Sequence, residues 1–257
     1  MERLENLKNI IMYLMADNCV SHRIPSSLEE RQRMMRALMN VWEPRPIAED
    51  FLTMQDAELQ MQREDKGVVE VHDEGLTIWQ GDITRLKLDA IVNAANAQAL
   101  GCWAPLHNCI DNCIHSFAGI QLRAACNRQM EALRRKYGPD YEQPTAVPML
   151  TDAYNLPAKK VIHIVGPIVE SRLTPALEKA LADCYTNTLD MCLENGLKSV
   201  AFCCISTGVF RFPGRRAAEI AVKTVKGWMS AHPGVMDWVI FNVFKDEDKE
   251  YYEHELR

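Results

Sequence analysis

The chain has 257 residues, 47% of them hydrophobic and 25% charged, with a net charge of −6 and a pI near 5.7. That length holds one large domain, or one domain plus an appendage, around a sizeable core. The acidic balance excludes a protein that grips nucleic acid mainly by neutralising phosphates, and no apolar run approaches the roughly 18 residues of a membrane span.

The opening MERLENLKNIIMYLMADN carries charges through its first turns and no small-residue cleavage site, so it does not read as a signal peptide. Nine cysteines, an odd number, then point to reduced thiols in a cytoplasmic protein, used for metal binding or core packing.

The first 70 or so residues read as helices. LENLKNIIMYLM has apolar residues at helical spacing. SSLEERQRMMRALMNVW opens with Ser27 three residues before Glu30, a capping-box pattern, and Pro44 and Pro46 stop it. EDFLTMQDAELQMQRE adds a third helical segment before Gly67. From residue 68 the texture changes to short β-branched runs: GLTIWQ, DAIVNAA, KKVIHIV, KSVAFCCI and DWVIFNVF. Helical stretches separate most of them. One runs from Thr174 as N-cap, with Pro175 in its first turn, to Gly196; another, FPGRRAAEIAVKTVKGWMSA, closes at His232, Pro233 and Gly234. Near-continuous apolar strands alternating with helices indicate a largely parallel sheet covered on both faces. Ligands of such sheets bind at the carboxyl ends of the strands.

The residues after those runs carry the candidate chemistry. DAIVNAAN puts Asn93 and Asn96 where the second strand gives out, and GDIT follows the first; each alone reads as a turn. STGVFRFP leads from a strand into a helix and offers consecutive amides, as a phosphate loop or an ordinary connection does. GCWAPLHNCIDNCIH, residues 101–115, holds three cysteines and two histidines. Two thiolates and an imidazole are proper zinc ligands, and three protein ligands leave one position open, as in catalytic sites; a structural site would recruit Cys113 or His115 as a fourth. Cys126, Cys184, Cys192, Cys203 and Cys204 read as small buried hydrophobes, the last two within a strand. His163 reads as a hydrogen-bonded core histidine.

In order, GDITRLKLDAIVNAAN, CIDNCIHSFAG, YNLPAKKVIHIVGP, ISTGVFRFP and VIFNVFKDEDKEYYE resemble the macrodomain family over residues 71–257. The longer CWAPLHNC, in place of the family's short glycine loop, resembles the zinc-dependent subfamily, which also has an N-terminal helical extension. The resemblance implies an α/β fold, a macrodomain-like three-layer α/β/α arrangement with a mixed, largely parallel sheet, preceded by a helical extension over residues 1–70 packed on the domain. It implies one zinc held by Cys102, His107 and Cys109. It implies ADP-ribose contacts from Asp82, Ile83, Asn93, Asn96, Ser206, Thr207, Gly208, Val209, Phe210 and Phe244, with Asn96 and Asp111 catalytic. Asp82 would meet the adenine amine, Phe244 its ring, the amides of Ser206 to Phe210 the diphosphate, and Asn93 and Asn96 the proximal ribose. Trp103 would shield the metal, contact the ribose or simply pack.

The function so implied is zinc-dependent hydrolysis of the ester that joins mono-ADP-ribose to acidic side chains of a modified protein, opposite a class M sirtuin-type ADP-ribosyltransferase. Neither nucleic acid nor membrane is an expected partner. The alternatives are a non-catalytic ADP-ribose reader with a loop-shaping zinc, and an O-acetyl-ADP-ribose deacetylase. Two residues depart from the family pattern: Arg211 and Ala146 stand where glycine is common.

Overall fold

In the computed structural model, which describes residues 3–71 and 75–257, three helices precede a six-stranded sheet. They are α1 (Arg3–Asp17), α2 (Leu28–Asn40) and α3 (Glu49–Lys66). Ser27 caps α2 by accepting from the Glu30 amide, and Gly67, at φ +77°, ends α3. The boundary expected between residues 70 and 71 falls next to residues 72–74, which lie outside the described residues.

The strands are β1 (Gly75–Gln80), β2 (Ala90–Ala95), β3 (Met149–Asp152), β4 (Lys160–Val165), β5 (Ser199–Phe202) and β6 (Trp238–Val243), in spatial order β1-β6-β5-β2-β4-β3. All pairs are parallel except β3 with β4. Five parallel strands therefore end on one edge. Helices α4 (Ile110–Ala118) and α5 (Ile120–Tyr137) form one packed pair. Helices α6 (Pro175–Glu194), α7 (Gly214–Ala231) and α8 (Asp246–Leu256) form a second group, so helices flank the sheet.

One strand lacked a sequence signal, and two sequence expectations need correction. The antiparallel edge strand β3 lies in PTAVPMLTDAYNLP, a stretch without a strand signal because only four residues pair between prolines. Cys203 and Cys204 fall beyond β5, which stops at Phe202 because the chain turns toward α7. Asn93 lies inside β2, opposite His163 and fully buried, rather than where the strand gives out; only Asn96 lies past its end.

Two apolar cores result. The larger lies around the sheet, with Ile91, Val92, Ile162, Val200 and Ile240 fully buried. The smaller joins Leu7, Ile10, Leu14, Trp42 and Phe51 of the N-terminal helices to Ile120 and Ala124 of α5. Between these cores, Arg123 of α5 is 3% exposed. Its guanidinium donates to the carbonyls of Met39, Asn40 and Trp42, at 3.2, 2.9 and 2.8 Å, at and just beyond the end of α2. It also donates to the carbonyls of Leu100 (2.6 Å) and Cys102 (3.3 Å) in the loop after β2. Burial pulls this guanidinium down to about 10, opposed chiefly by Asp111.

Arg123→Met should therefore lower the unfolding free energy by about 3 kcal/mol or more, because it strands several buried carbonyls. Urea titration reads the loss directly. Arg123→Lys should recover only part of it, since an ammonium lacks the five-donor fork.

Candidate active site

A cavity of about 810 Å³ opens at the carboxyl ends of β2, β5 and β6. Its walls come from three connections: residues 104–110 between β2 and α4, residues 206–210 between β5 and α7, and Phe244, Lys245 and Asp248 after β6. Of the predicted site residues, Ser206, Thr207, Gly208, Val209, Phe210, Phe244, His107 and Cys109 line it. Asp82, Ile83, Asn93, Asn96, Cys102 and Asp111 lie outside that lining.

The β5–α7 loop is held by its own hydrogen bonds. Phe212 N donates to Ser206 O at 3.0 Å, and Arg211 N to Gly208 O at 3.0 Å. The Thr207 amide donates to Cys204 O at 3.3 Å, so the expected run of phosphate donors is interrupted there, leaving the amides of Ser206, Gly208, Val209 and Phe210 as candidates. Ser206 and Arg211 adopt φ of +66° and +58°. The second value explains why glycine suits the position that Arg211 occupies. Ala146 has φ +62° for the same reason, and it is fixed by hydrogen bonds through both its amide and its carbonyl. Gly166 passes so close beneath the loop that a Cβ there would lie 2.1 Å from Ser206 Oγ.

The second wall carries sulfur and imidazole. The ligand atoms of Cys102, His107 and Cys109 all lie within 4.8 Å of one another, and Cys102 Sγ is 3.7 Å from His107 Nδ1. Cys109 is the N-cap of α4, its Sγ accepting from Asn112 N at 3.4 Å. Burial pushes the Cys109 thiol up to about 12, with the neighbouring Cys102 adding to the effect. Cys113 stands apart from this cluster: its sulfur faces Arg36 at 3.7 Å. Trp103 stacks on the Arg123 guanidinium, 4.1 Å from ring centroid to carbon, so packing is the role its contacts display.

The loop is braced by the N-terminal helices. Arg36 donates to His107 O at 2.8 Å, and Asn40 Oδ1 accepts from Leu106 N at 2.9 Å, where Leu106 has φ +58°. Gly101 crosses the His115 ring closely enough that a Cβ would meet it at 2.7 Å.

Beneath the loop lies a buried polar group of residues. Asn93 Nδ2 donates to Asp111 Oδ1 at 2.8 Å, and Asn96 Nδ2 approaches Asp111 Oδ2 at 3.4 Å and Gly101 O at 3.2 Å. Burial raises Asp111 to about 6, while the Asn93 hydrogen bond opposes the rise. Asn93 Oδ1 and both His115 ring nitrogens are buried without a hydrogen-bond partner among the described residues. His163 is the satisfied core histidine expected: Asn93 Nδ2 lies 3.1 Å from its Nδ1, and Thr151 Oγ1 lies 2.9 Å from its Nε2. Asp82 caps a single 3-10 turn, Ile83–Arg85, and pairs with Lys66 at 2.7 Å.

Sequence reasoning missed Asn242, Lys245, Asp248 and the cavity-facing role of Cys203 and Cys204. Their signal was available: all follow the carboxyl ends of β5 or β6, or lie within one residue of those ends. A second cavity, about 600 Å³ between α6 and α7, is lined by none of the predicted site residues.

The macro domain family matches residues 92–221. A Treponema medium protein named protein-ADP-ribose hydrolase is 45% identical over 254 residues, covering 95% of this chain and 95% of its own. A Fusarium oxysporum f. sp. cubense protein named probable bifunctional ADP-ribose hydrolase/ADP-ribosyltransferase is 42% identical over 197 residues, 73% of this chain but 31% of that protein. The solved structure of a Trypanosoma brucei macrodomain in complex with ADP-ribose matches with a TM-score of 0.64 at 26% identity, covering 91% of this chain and 97% of that one. With this fold and this match, the chain belongs to the macro domain family.

Burial holds His163 down at about 3. The unfolded chain binds a proton at this residue below its ordinary value near 6.5, and the native state does not. Stability should therefore fall as pH drops from about 6.5 toward 3, by at most about 1.4 kcal/mol per pH unit from this residue. His163→Gln should flatten that part of the stability–pH curve when urea unfolding is measured across it.

Proposed function

We propose that the protein is a zinc-dependent hydrolase that releases mono-ADP-ribose from acidic side chains of modified proteins. The observation that carries this is positional: His107 and Cys109 line the same cavity as the β5–α7 loop and Phe244, and Cys102 completes their cluster from beside that lining. The names of the relatives support hydrolysis of protein-linked ADP-ribose, and the Trypanosoma complex supports ADP-ribose as the ligand.

The donor set fits zinc. Bond lengths of about 2.3 Å to sulfur and 2.0–2.1 Å to nitrogen set tetrahedral sulfur–nitrogen edges of roughly 3.6 Å, close to the 3.7 Å between Cys102 Sγ and His107 Nδ1. Cys109, at the positive end of α4, favours a thiolate once a cation offsets its burial. When bound, zinc supplies a Lewis acid beside the reacting end of the ligand. Cys113, turned toward Arg36, stays outside the set.

The chain's own groups bind and orient. The amides of Ser206, Gly208, Val209 and Phe210 take the diphosphate, with Lys245 on the same cavity adding positive charge. Phe244, 75% exposed, offers its ring face to adenine, and Asp82 accepts from the adenine amine. Asn93 Oδ1, buried and without a partner, is an acceptor matched to a ribose hydroxyl. Asn96 and Asp111 hold the proximal ribose with its ester toward the metal loop. Fixing the ester in this way supplies positioning rather than a strong nucleophile.

A serine-linked substrate is an acetal, whose cleavage calls for leaving-group protonation and usually two placed carboxylates. Asp111 is the carboxylate that this reading assigns to the proximal ribose, and it assigns no second one there. The Fusarium protein's double name supports an ADP-ribosyltransferase as functional counterpart, and the proposal takes it to be of the class M sirtuin type. A reducing cytoplasmic setting completes the proposal, consistent with nine free thiols and with no described helix long and apolar enough to cross a membrane.

Purified protein should carry about one zinc per chain by elemental analysis. Cys102→Ala and Cys109→Ala should lose it, and Cys113→Ala should keep it. Full zinc retention by Cys109→Ala would rule out this ligand set.

Incubation with Asp/Glu-linked and Ser-linked ADP-ribosyl peptides tests the reaction. Release should occur from the ester-linked peptides, stop with a chelator, and be slight from the serine-linked one. Faster release from serine would overturn the mechanism, and binding without release from any peptide would make the protein a reader.

A further inference from the structure

The last turn of α3 reaches Asp82, the residue assigned above to the adenine amine. Lys66 Nζ donates to Asp82 Oδ2 at 2.7 Å and to Thr84 Oγ1 at 3.1 Å. The ring of Phe117, in α4, lies 3.2 Å from the same nitrogen and takes another side of the ammonium. Both side-chain donations and the ring contact are internal, so the cation is committed to the protein. Asp82 Oδ1 in turn accepts from Thr84 N at 3.0 Å and from Thr84 Oγ1 at 2.6 Å.

A carboxylate offers about four acceptor directions. Two on Oδ1 and one on Oδ2 are taken, which leaves one, on Oδ2. The Asp82 side chain is 34% exposed, so the carboxylate is partly accessible. A single remaining acceptor admits one N–H donor and opposes a carbonyl oxygen. Those are the groups that separate a 6-aminopurine from a 6-oxopurine. We propose that Lys66, contributed by the N-terminal helices, is a specificity-determining residue that positions Asp82 to select adenine over hypoxanthine ligands. The proposal rests on Asp82 meeting the base, as argued above.

The electrostatics run the same way. Burial alone raises the Asp82 carboxyl, but Lys66 and Thr84 more than offset it, and the carboxyl sits below its ordinary value. The other charged or titratable groups around the pair are Cys113 of α4, whose thiol burial pushes up, and Arg36 of α2, which faces that sulfur at 3.7 Å. Arg85, in the same turn as Asp82, is directed to Gly67 O at 2.9 Å. Lys66 is therefore the cation paired with Asp82 among the described residues. Without it, burial of the carboxyl is opposed by Thr84 alone, which moves the balance toward the protonated form. The resulting acid donates to a 6-oxo group, and selection weakens.

The test is calorimetry of the full chain with ADP-ribose and inosine diphosphate ribose, at about pH 5.5 and about pH 8. The wild type should prefer ADP-ribose by the same ratio at both. In Lys66→Met the ratio should fall about tenfold at the lower pH and less at the higher, while Lys66→Arg should keep it. Should Lys66→Met not fold, Lys66→Gln carries the same expectation. A Met or Gln variant that keeps the wild-type ratio at both pH values overturns the role, as does one that weakens both ligands equally. Asp82→Ala separates the two levels. If it leaves ADP-ribose affinity unchanged, the placement of the base is wrong. If it weakens ADP-ribose while the Lys66 variants keep the ratio, only the role of Lys66 falls.

Discussion

The buried guanidinium of Arg123 holds together the parts of the molecule that meet at the candidate site. One face of it closes the end of α2, through the carbonyls of Met39, Asn40 and Trp42. The other gathers Leu100 and Cys102, the start of the loop that carries the candidate sulfur and imidazole ligands. A charge at 3% exposure is tolerable only with such complete hydrogen bonding. The N-terminal helices and the β2–α4 loop are consequently tied to the same cation, and the two cannot be ordered independently.

The β2–α4 loop is strained as well as braced. Leu106 holds a left-handed φ of +58°, which disfavours a branched side chain by roughly 1–2 kcal/mol. Asn40 offsets it by accepting the Leu106 amide, and Arg36 takes the His107 carbonyl. The same pattern recurs across the cavity, where Ser206 and Arg211 take positive φ inside a loop closed by its own hydrogen bonds. Both connections that line the cavity thus hold strained backbone, as Cys19, Ala146 and Tyr154 do elsewhere, and neighbouring elements supply the compensation.

The buried polar layer under the loop follows a second logic. Asn93, Asp111 and His163 form one linked set, fully buried or nearly so, in which each hydrogen bond restricts the next side chain. Because Asn93 gives its amide to Asp111 and lies beside His163, its carbonyl is left as the unpaired acceptor. A polar group so placed is costly in the free protein.

Much of the architecture was legible in the sequence, because periodicity and capping are local. GLTIWQ is β1 without change, Ser27 and Thr174 cap the helices they were expected to cap, and Gly67 ends α3. The closeness of Cys102, His107 and Cys109 was likewise legible, since residues within one short loop cannot stray far. Other features needed the tertiary structure. No local signal marks β3, which exists only because β4 offers it an edge. Nor does any signal in α2, α3 or α5 tell that Arg36, Lys66 and Arg123 converge on the loops and turn of a distant segment. Those contacts join residues roughly 16 to 84 positions apart. Local chemistry determined the elements and the ligand cluster. The choice of which long cationic side chains brace them was made by how the N-terminal helices dock, because only packing brings distant charges and orphaned carbonyls into register.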